Sequence, residues 1–538
     1  MPPPLMSPGT LLDPPSGTTP RPPVVLRPSA PPPRITRPGP SRALTAAVPA
    51  GLVLTLGLWG ITRQDSMWRD EAATWQVAHR SLPDIWHLLG HADVVHGLYY
   101  ALMHMMFEVF GDSLLTLRTP SVLAMAAAAS IAADLGARLA GRWSGLGAGL
   151  ALALLPTFQT YAQEGRPYAM VTAAVALASW LLVAAMSRPC TGTWSAYAVV
   201  VLLGALLNWF SLLVLPAHAA TLALARSHRA TWARWLLAAS TAVVGALPLV
   251  LASQVQSRQV SWIQPTTPGA MYAIAATILA GGGCALLRRA REPAGPIPAA
   301  AGKLTLAAVA VPLCAVPQVM LLVVSLTWQP LYVGRYVLFA HIGLALLLGA
   351  LIGALATSLP VRPEVPLAAV TALAFLALLP VEQHIRSPSS RVDDVLAAAI
   401  PVDAARGQGG AVVFIPSARR DTALVTPGAF HGLRDIALAQ SPVESGTLHG
   451  IETDPDTTAR AMLRERHIIL ISDAETGLAH NARDRAKQRV LHEHFARLTT
   501  TIRRGRSITL YERNAPRVTT SPPPTDREPI RGWPGAPR

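Results

Sequence analysis

The sequence predicts a mainly α-helical, polytopic membrane protein with a small α/β domain near its C-terminal end. Three observations predict it. Hydrophobic residues make up 51% of the 538 residues, and a mean hydropathy of +0.36 is high for a soluble chain of this length. The apolar residues gather into runs of about twenty, the length at which a helix crosses hydrocarbon. Beyond about Glu382 that pattern stops, and short strand-like runs alternate with helical ones.

Residues 1–42 are rich in Pro, Ser, Thr and Arg. Such a composition cannot bury enough apolar area to fold, so a disordered tail is expected. It also lacks the layout of a cleavable signal peptide. The membrane domain is read as residues 43–381. Its first span runs from Ala43 to about Ile61, and the Arg-rich tail before it points to a cytoplasmic start. The loop carrying Asp70 is then outside.

His96 to Gly111 is short and contains His104 and Glu108, which reads as a helix lying at the outer interface. Spans are expected from about Thr119 to Ala137, Ser144 to Thr160 and Tyr168 to Met186. Trp194 to Ala225 is too long for one helix and divides at Asn208 into a hairpin. Later spans run over Leu236–Ser253, Gly269–Leu287, Leu304–Leu326, Tyr336–Leu355 and Pro366–Leu379. About eleven spans result, with the basic loops at Arg138, Arg188, Arg226, Arg288 and Arg362 all on the cytoplasmic side.

Residues 382–514 form the expected extracytoplasmic α/β domain. "VDDVLAAAI" reads as helix, "AVVFIP" and "HIILIS" as strands, and "SITLYER" as a final strand. Residues 515–538 are again Pro-rich and read as a disordered tail. The net charge of +15 comes almost wholly from Arg, spread over the N-terminal tail, short loops and the C-terminal third. That scatter favours membrane topology over nucleic-acid binding. Cys190, Cys284 and Cys314 share no metal-ligand spacing and imply no disulfide framework.

Three polar clusters sit at the ends of different apolar runs and, in this topology, on one face of the membrane. The first carries Asp70 and Glu71 in "SMWRDEAATW", followed by Asp93 and His96. A carboxylate at a membrane boundary is a candidate site, and Asp70 could take a proton from an attacking hydroxyl. Asp70, Asp93 and His96 together also offer oxygen and nitrogen ligands for a divalent cation, Mg or Mn. The second cluster, "YAQEGRPYAM", holds Glu164, Arg166 and Tyr168; its charges suit either a local ion pair or a site. The third holds Arg335 and Tyr336, which suit either a membrane anchor or a phosphate-binding guanidinium. His104, on a mostly apolar helix, reads first as a packed histidine.

Taken in order, "WRDEAAT", "DVVHGLYYALMH", "GDSLLTLRTPSVL", "YAQEGRPYAM" and "YVGRYVLF" resemble the glycosyltransferase family 39 group of GT-C membrane enzymes. That group includes protein O-mannosyltransferases and lipid A aminoarabinose transferases. The resemblance covers about residues 44–380, with His96-Gly97 standing where many relatives have two prolines and Gly165 where Ala is usual. It implies a GT-C-type bundle with a catalytic outer loop over residues 62–118. It also implies transfer of a sugar, mannose or a pentose, from a polyprenyl-phosphate donor in a bacterial plasma membrane. The acceptor would be an extracytoplasmic protein, glycolipid or glycan. By motif match Asp70 would be the base, with Glu71 supporting it. Arg335, with Arg166 and Tyr336, would hold the donor phosphate, and Asp93, His96, Glu164, Tyr168 and His104 would support the site or its acceptor. A lipid-linked sugar transporter is the main competing reading, but the charges gather at one face and no internal repeat is visible. A non-catalytic envelope scaffold is the other.

Overall fold

The computed structural model describes residues 39–256, 263–291, 304–474 and 481–515. Both expected tails lie outside these residues, apart from residues 39–42 and 515.

Helix α1 (Arg42–Leu58) starts where the Ser41 hydroxyl accepts the Leu44 N–H at 3.2 Å, an N-cap that satisfies one of the first turn's open donors. The chain then enters three short helices, α2 (Arg69–Ala78), α3 (Leu82–Leu89) and α4 (Gly97–Phe110). α4 is the helix expected at the membrane interface. α5 (Leu114–Ala140) and α6 (Arg142–Leu154) form an antiparallel pair. Their hinge, Gly141, has φ +91°, which glycine adopts at little cost.

The span expected over Ser144 to Thr160 is broken. Pro156 opens a separate helix, α7 (Pro156–Ala162), and Leu155 before it is extended, as a residue preceding proline prefers. α8 (Tyr168–Ser187) and α9 (Thr191–Leu207) follow. The division expected at Asn208 is present: its Oδ1 accepts the Phe210 N–H at 3.0 Å, and a 3₁₀ turn leads into α10 (Val214–Leu224). The bundle closes with α11 (Arg229–Val255), α12 (Pro268–Arg291), α13 (Leu306–Thr327), α14 (His341–Ser358) and α15 (Glu364–Ile385).

Among the described residues, seven helical segments are long and apolar enough to cross a membrane: α5, α8, α11, α12, α13, Gly334–Ser358 and α15. Four more apolar segments are shorter, namely Arg42–Leu58, Val94–Phe110, Thr191–Leu207 and Trp209–Leu224. α6 and α14 pack backbone to backbone, since a Cβ at Gly349 or Gly353 would strike Ala148 or Ser144. Small residues allow this approach where lipid supplies no hydrophobic drive.

α15 continues to Ile385, past the expected domain start at 382. The α/β domain then folds around a five-stranded sheet in the order β2-β1-β5-β7-β6. Its strands are β1 (Ala411–Ile415), β2 (Arg434–Asp435), β5 (His467–Asp473), β6 (Phe495–Arg503) and β7 (Arg506–Arg513). β1 pairs parallel with β2 and β5, and β7 pairs antiparallel with β5 and β6. A separate ribbon joins β3 (Leu438–Gln440) to β4 (Ile451–Glu452). Alternate strand residues feed two cores. Val412, Phe414, Ile469 and Ile508 bury on one face with Val402, from α16 (Ala399–Arg406). Val413, Ile468 and Leu470 bury on the other with Met462 and Leu491. Those two come from α18 (Pro455–Arg464) and α19 (Ala482–His494), while α17 (Asp421–Val425) faces the bundle against α2.

The three strands read from sequence are present. The helix expected from Val392 starts later: residues 391–395 are non-helical, a 3₁₀ turn spans Leu396–Ala398, and α16 follows from Ala399. Asp394 caps the turn that follows, its Oδ1 accepting the Leu396 N–H at 3.2 Å and the Ala397 N–H at 3.3 Å, while Asp393 bonds to Arg69.

Candidate active site

α2 carries Asp70 in its first turn, where the helix dipole favours an acid. Trp68 precedes the helix and makes no side-chain cap. The cap comes from the start of the α/β domain. Asp393 accepts the Arg69 backbone N–H at 3.1 Å and its Nε at 3.0 Å, and Asp394 accepts the Met67 N–H at 3.2 Å. Both acids are held in turn, Asp393 by buried Arg506 at 3.2 Å and Asp394 by Arg504 at 2.7 Å. The helix bearing Asp70 is thus pinned by residues more than 300 positions away in sequence.

The Asp70 carboxylate lies 3.3 Å from Arg335 Nη2, with both side chains partly accessible at 22% and 14%. The Arg335 guanidinium also faces the Tyr168 ring at 5.6 Å and the Trp68 and Tyr336 rings at 5.9 Å, contacts that favour a cation at this place. Tyr336 stacks on Phe210 at 4.7 Å.

Arg166 approaches from the other side. Its Nη1 reaches the Asp70 carbonyl and the Thr74 hydroxyl, both at 3.4 Å, and its Nη2 reaches His96 Nε2 at 3.0 Å. Arginine only donates, so Nε2 accepts and the His96 proton sits on Nδ1, which donates to Asp93 at 2.7 Å. Burial and the Arg166 charge hold His96 below its ordinary pKa, hence neutral. Asp93, itself at φ +57°, also accepts from the Tyr100 hydroxyl.

These groups line one cavity of about 980 Å³. The bundle contributes Asp70, Asp93, His96, Arg166, Tyr168, Arg335 and Tyr336. The α/β domain closes it with Ser417, Arg419 and Asp421 and with the turn Thr447–Gly450. Seven of the ten residues expected at a site therefore meet in one place.

The other three do not reach it. Glu71 points behind the wall, fully buried, accepting from Arg118 Nε and Nη2 at 2.7 Å, from the Gly165 N–H at 2.9 Å and from Arg63. Burial alone raises its pKa, but the Arg118 and Arg63 charges bring it down to about 2. It is a structural anion locked in a cage of donors, not a second cavity acid. Glu164 is buried 3.4 Å from Arg391. His104 turns away, its Nδ1 3.0 Å from the Ala78 carbonyl.

The expected divalent-cation set of Asp70, Asp93 and His96 does not fit as placed. Both His96 nitrogens are committed, and Asp93 holds both His96 and Tyr100. Among the described residues no group of three potential ligands is poised for an ion.

Several contributors were not foreseen: Asp393, Asp394, Arg391, Arg419 and His449 from beyond the bundle, and Arg63 and Arg118 behind the wall. Arg118 alone carried a usable signal, being a charge at the start of an apolar run, which is expensive unless paired.

Comparison with known proteins bears on the fold. A family model described as dolichyl-phosphate-mannose-protein mannosyltransferase matches residues 97–254. The solved structure of ArnT from Cupriavidus metallidurans in the apo state is similar at TM-score 0.51 and 12% identity, over 86% of this chain and 97% of that one. The fold is that of ArnT. The same protein bound to undecaprenyl phosphate is similar at TM-score 0.50 and 11% identity, over 87% and 98% of the two chains. Among curated proteins none matches. The chain is a multi-pass membrane protein, and its ArnT-like fold carries the cavity between bundle and α/β domain.

Proposed function

We propose that this protein is a membrane glycosyltransferase that moves a sugar, mannose-like or a pentose, from a polyprenyl-phosphate donor to an acceptor hydroxyl. The acceptor is an extracytoplasmic protein, glycolipid or glycan, and the site opens on the outer face of a bacterial plasma membrane. One observation carries the reading. Asp70 is a cavity carboxylate that pairs with Arg335 at the cavity edge, while Asp93 is engaged by His96 and Tyr100 and Asp421 by buried Arg506. The family description and the undecaprenyl phosphate held by the ArnT structure support a lipid-phosphate donor.

The reaction is a single displacement with inversion. Asp70 takes the acceptor hydroxyl proton, the oxygen attacks the anomeric carbon, and the bond from that carbon to the phosphate oxygen breaks with its electrons going to polyprenyl phosphate. Arg335 spans the two ends of this event. It pairs with Asp70 at rest, and turning toward the donor phosphate would release Asp70 to act as a base while offsetting charge on the leaving group. Arg166 adds a second fixed positive charge and buttresses Asp70 through its carbonyl. No protein nucleophile is required, and no step runs through a metal.

The test is sugar transfer from radiolabelled polyprenyl-phosphate-mannose, and from pentose analogues, by membranes holding wild type or Asp70→Asn, with envelope extract as acceptor. Transfer by wild type alone supports the reading. Transfer by neither, at matched expression and across the donors, would move weight to a lipid-linked sugar transporter.

A further inference from the structure

A second cavity, of about 1160 Å³, lies at the opposite end of the bundle. α5 measures the separation: Arg118 holds Glu71 at one end, and Arg138 lines the second cavity near the other. Five to six helical turns between them span roughly 30 Å, about the thickness of hydrocarbon.

The chemistry of this cavity differs from that of the first. Its rim carries Arg226 from the turn before α11 and Arg288 and Arg289 from the last turn of α12. Arg138 is there too, paired with Asp134 at 2.8 Å and lying over Trp180 at 4.2 Å. No acidic side chain is among its described lining residues. The floor is apolar, with Leu306 and Leu347 buried in the core of the bundle. A cationic rim over an apolar floor, at the depth where lipid phosphates sit, suits an anionic amphiphile. A soluble anion would leave the floor unused, and a nucleotide would find no Phe, Tyr or Trp among the described lining residues on which to stack.

We propose that this cavity binds one anionic glycerophospholipid of the membrane leaflet on that side. Its phosphate lies against Arg226, Arg288 and Arg289, and an acyl chain lies along Leu306 and Leu347. The arginine fork holds phosphate through paired, charge-assisted hydrogen bonds. The lipid fills the gap where α5, α8, α12, α13 and α14 would otherwise face each other across empty space. The proposal does not depend on the transferase reading, because it concerns binding alone.

The test is native mass spectrometry of the delipidated full-length protein incubated with phosphatidylglycerol or phosphatidylcholine. One phosphatidylglycerol should be retained, preferred by about tenfold or more over phosphatidylcholine. The variant R226Q/R288Q/R289Q should lose that preference. R229Q/R234Q, which removes nearby arginines outside the cavity lining, should keep it. Ala285→Phe or Ala307→Phe should also lose the bound lipid, since each fills the cavity without altering charge. Equal losses in the two arginine variants would overturn the proposal in favour of diffuse charge. So would full retention in both phenylalanine variants that fold, judged by an unchanged melting temperature, or displacement of the lipid by millimolar inorganic phosphate.

Discussion

Asp70 and Glu71 are neighbours in sequence and belong to different layers of the molecule. Asp70 faces a cavity and shares its edge with Arg335. Glu71, about 100° further round the same helix, enters a closed layer where two arginines and a backbone amide hold it. The same side-chain chemistry thus serves two ends. A carboxylate in a full cage of donors stabilises the fold and has nothing left to offer a substrate. A carboxylate with one displaceable partner, open to a cavity, can exchange a proton.

The largest expected effect comes from the closed layer. Glu71→Gln leaves Arg118 and Arg63 buried against a neutral group, and breaking a buried pair in this way costs about 3–5 kcal/mol. The expected result is a large drop in melting temperature or in yield of folded protein in detergent; a variant as stable as wild type would put Glu71 outside the fold's support. Next is Arg335→Gln, expected to slow sugar transfer by about 10²–10³-fold with the melting temperature little changed. Arg335→Lys should recover only part of this, because a point charge does not reproduce the guanidinium fork.

A smaller effect is expected where the two regions meet. Asp393→Ala removes the cap on α2 and leaves buried Arg506 short of one anion, so kcat should fall by roughly tenfold with the donor KM near its wild-type value. Asp393→Asn, which keeps an acceptor for the Arg69 amide, should retain more turnover than Ala. Equal turnover in both would separate the cap from catalysis.

The smallest effect concerns pH. The Glu71 pKa is depressed in the folded state to about 2, so its contribution to stability is present above the unfolded carboxyl pKa and lost as pH falls toward the folded one. The melting temperature of wild type should decline through that acid window more steeply than that of Glu71→Gln, which has no such group to titrate.

The sequence made most of the cavity legible because its parts recur in one kind of place. Asp70, Arg166, Tyr168, Arg335 and Tyr336 each stand where an apolar run meets a polar turn, and a single topology brings those turns to one face. The division at Asn208 was legible for the same reason, as a polar interruption in too long a run. What escaped depends on contacts between distant segments. Nothing periodic links Asp394 to Met67 across 327 positions, and "VDDV" has a helix-like composition while its acids reach back to the start of α2 and Asp394 caps the turn after it. β6 escaped as well, since its Thr- and Arg-rich edge is mostly exposed and shows no alternation. Whether Glu71 faced the cavity depended on the angle at which α2 is set, and that angle is fixed by the α/β domain.

The most direct measurement compares Asp70→Asn with wild type in two readouts on the same preparation: melting temperature in detergent and sugar transfer from polyprenyl-phosphate donors. An unchanged melting temperature is expected, with transfer reduced by about 10²–10⁴-fold. Full transfer by a folded Asp70→Asn protein would contradict it.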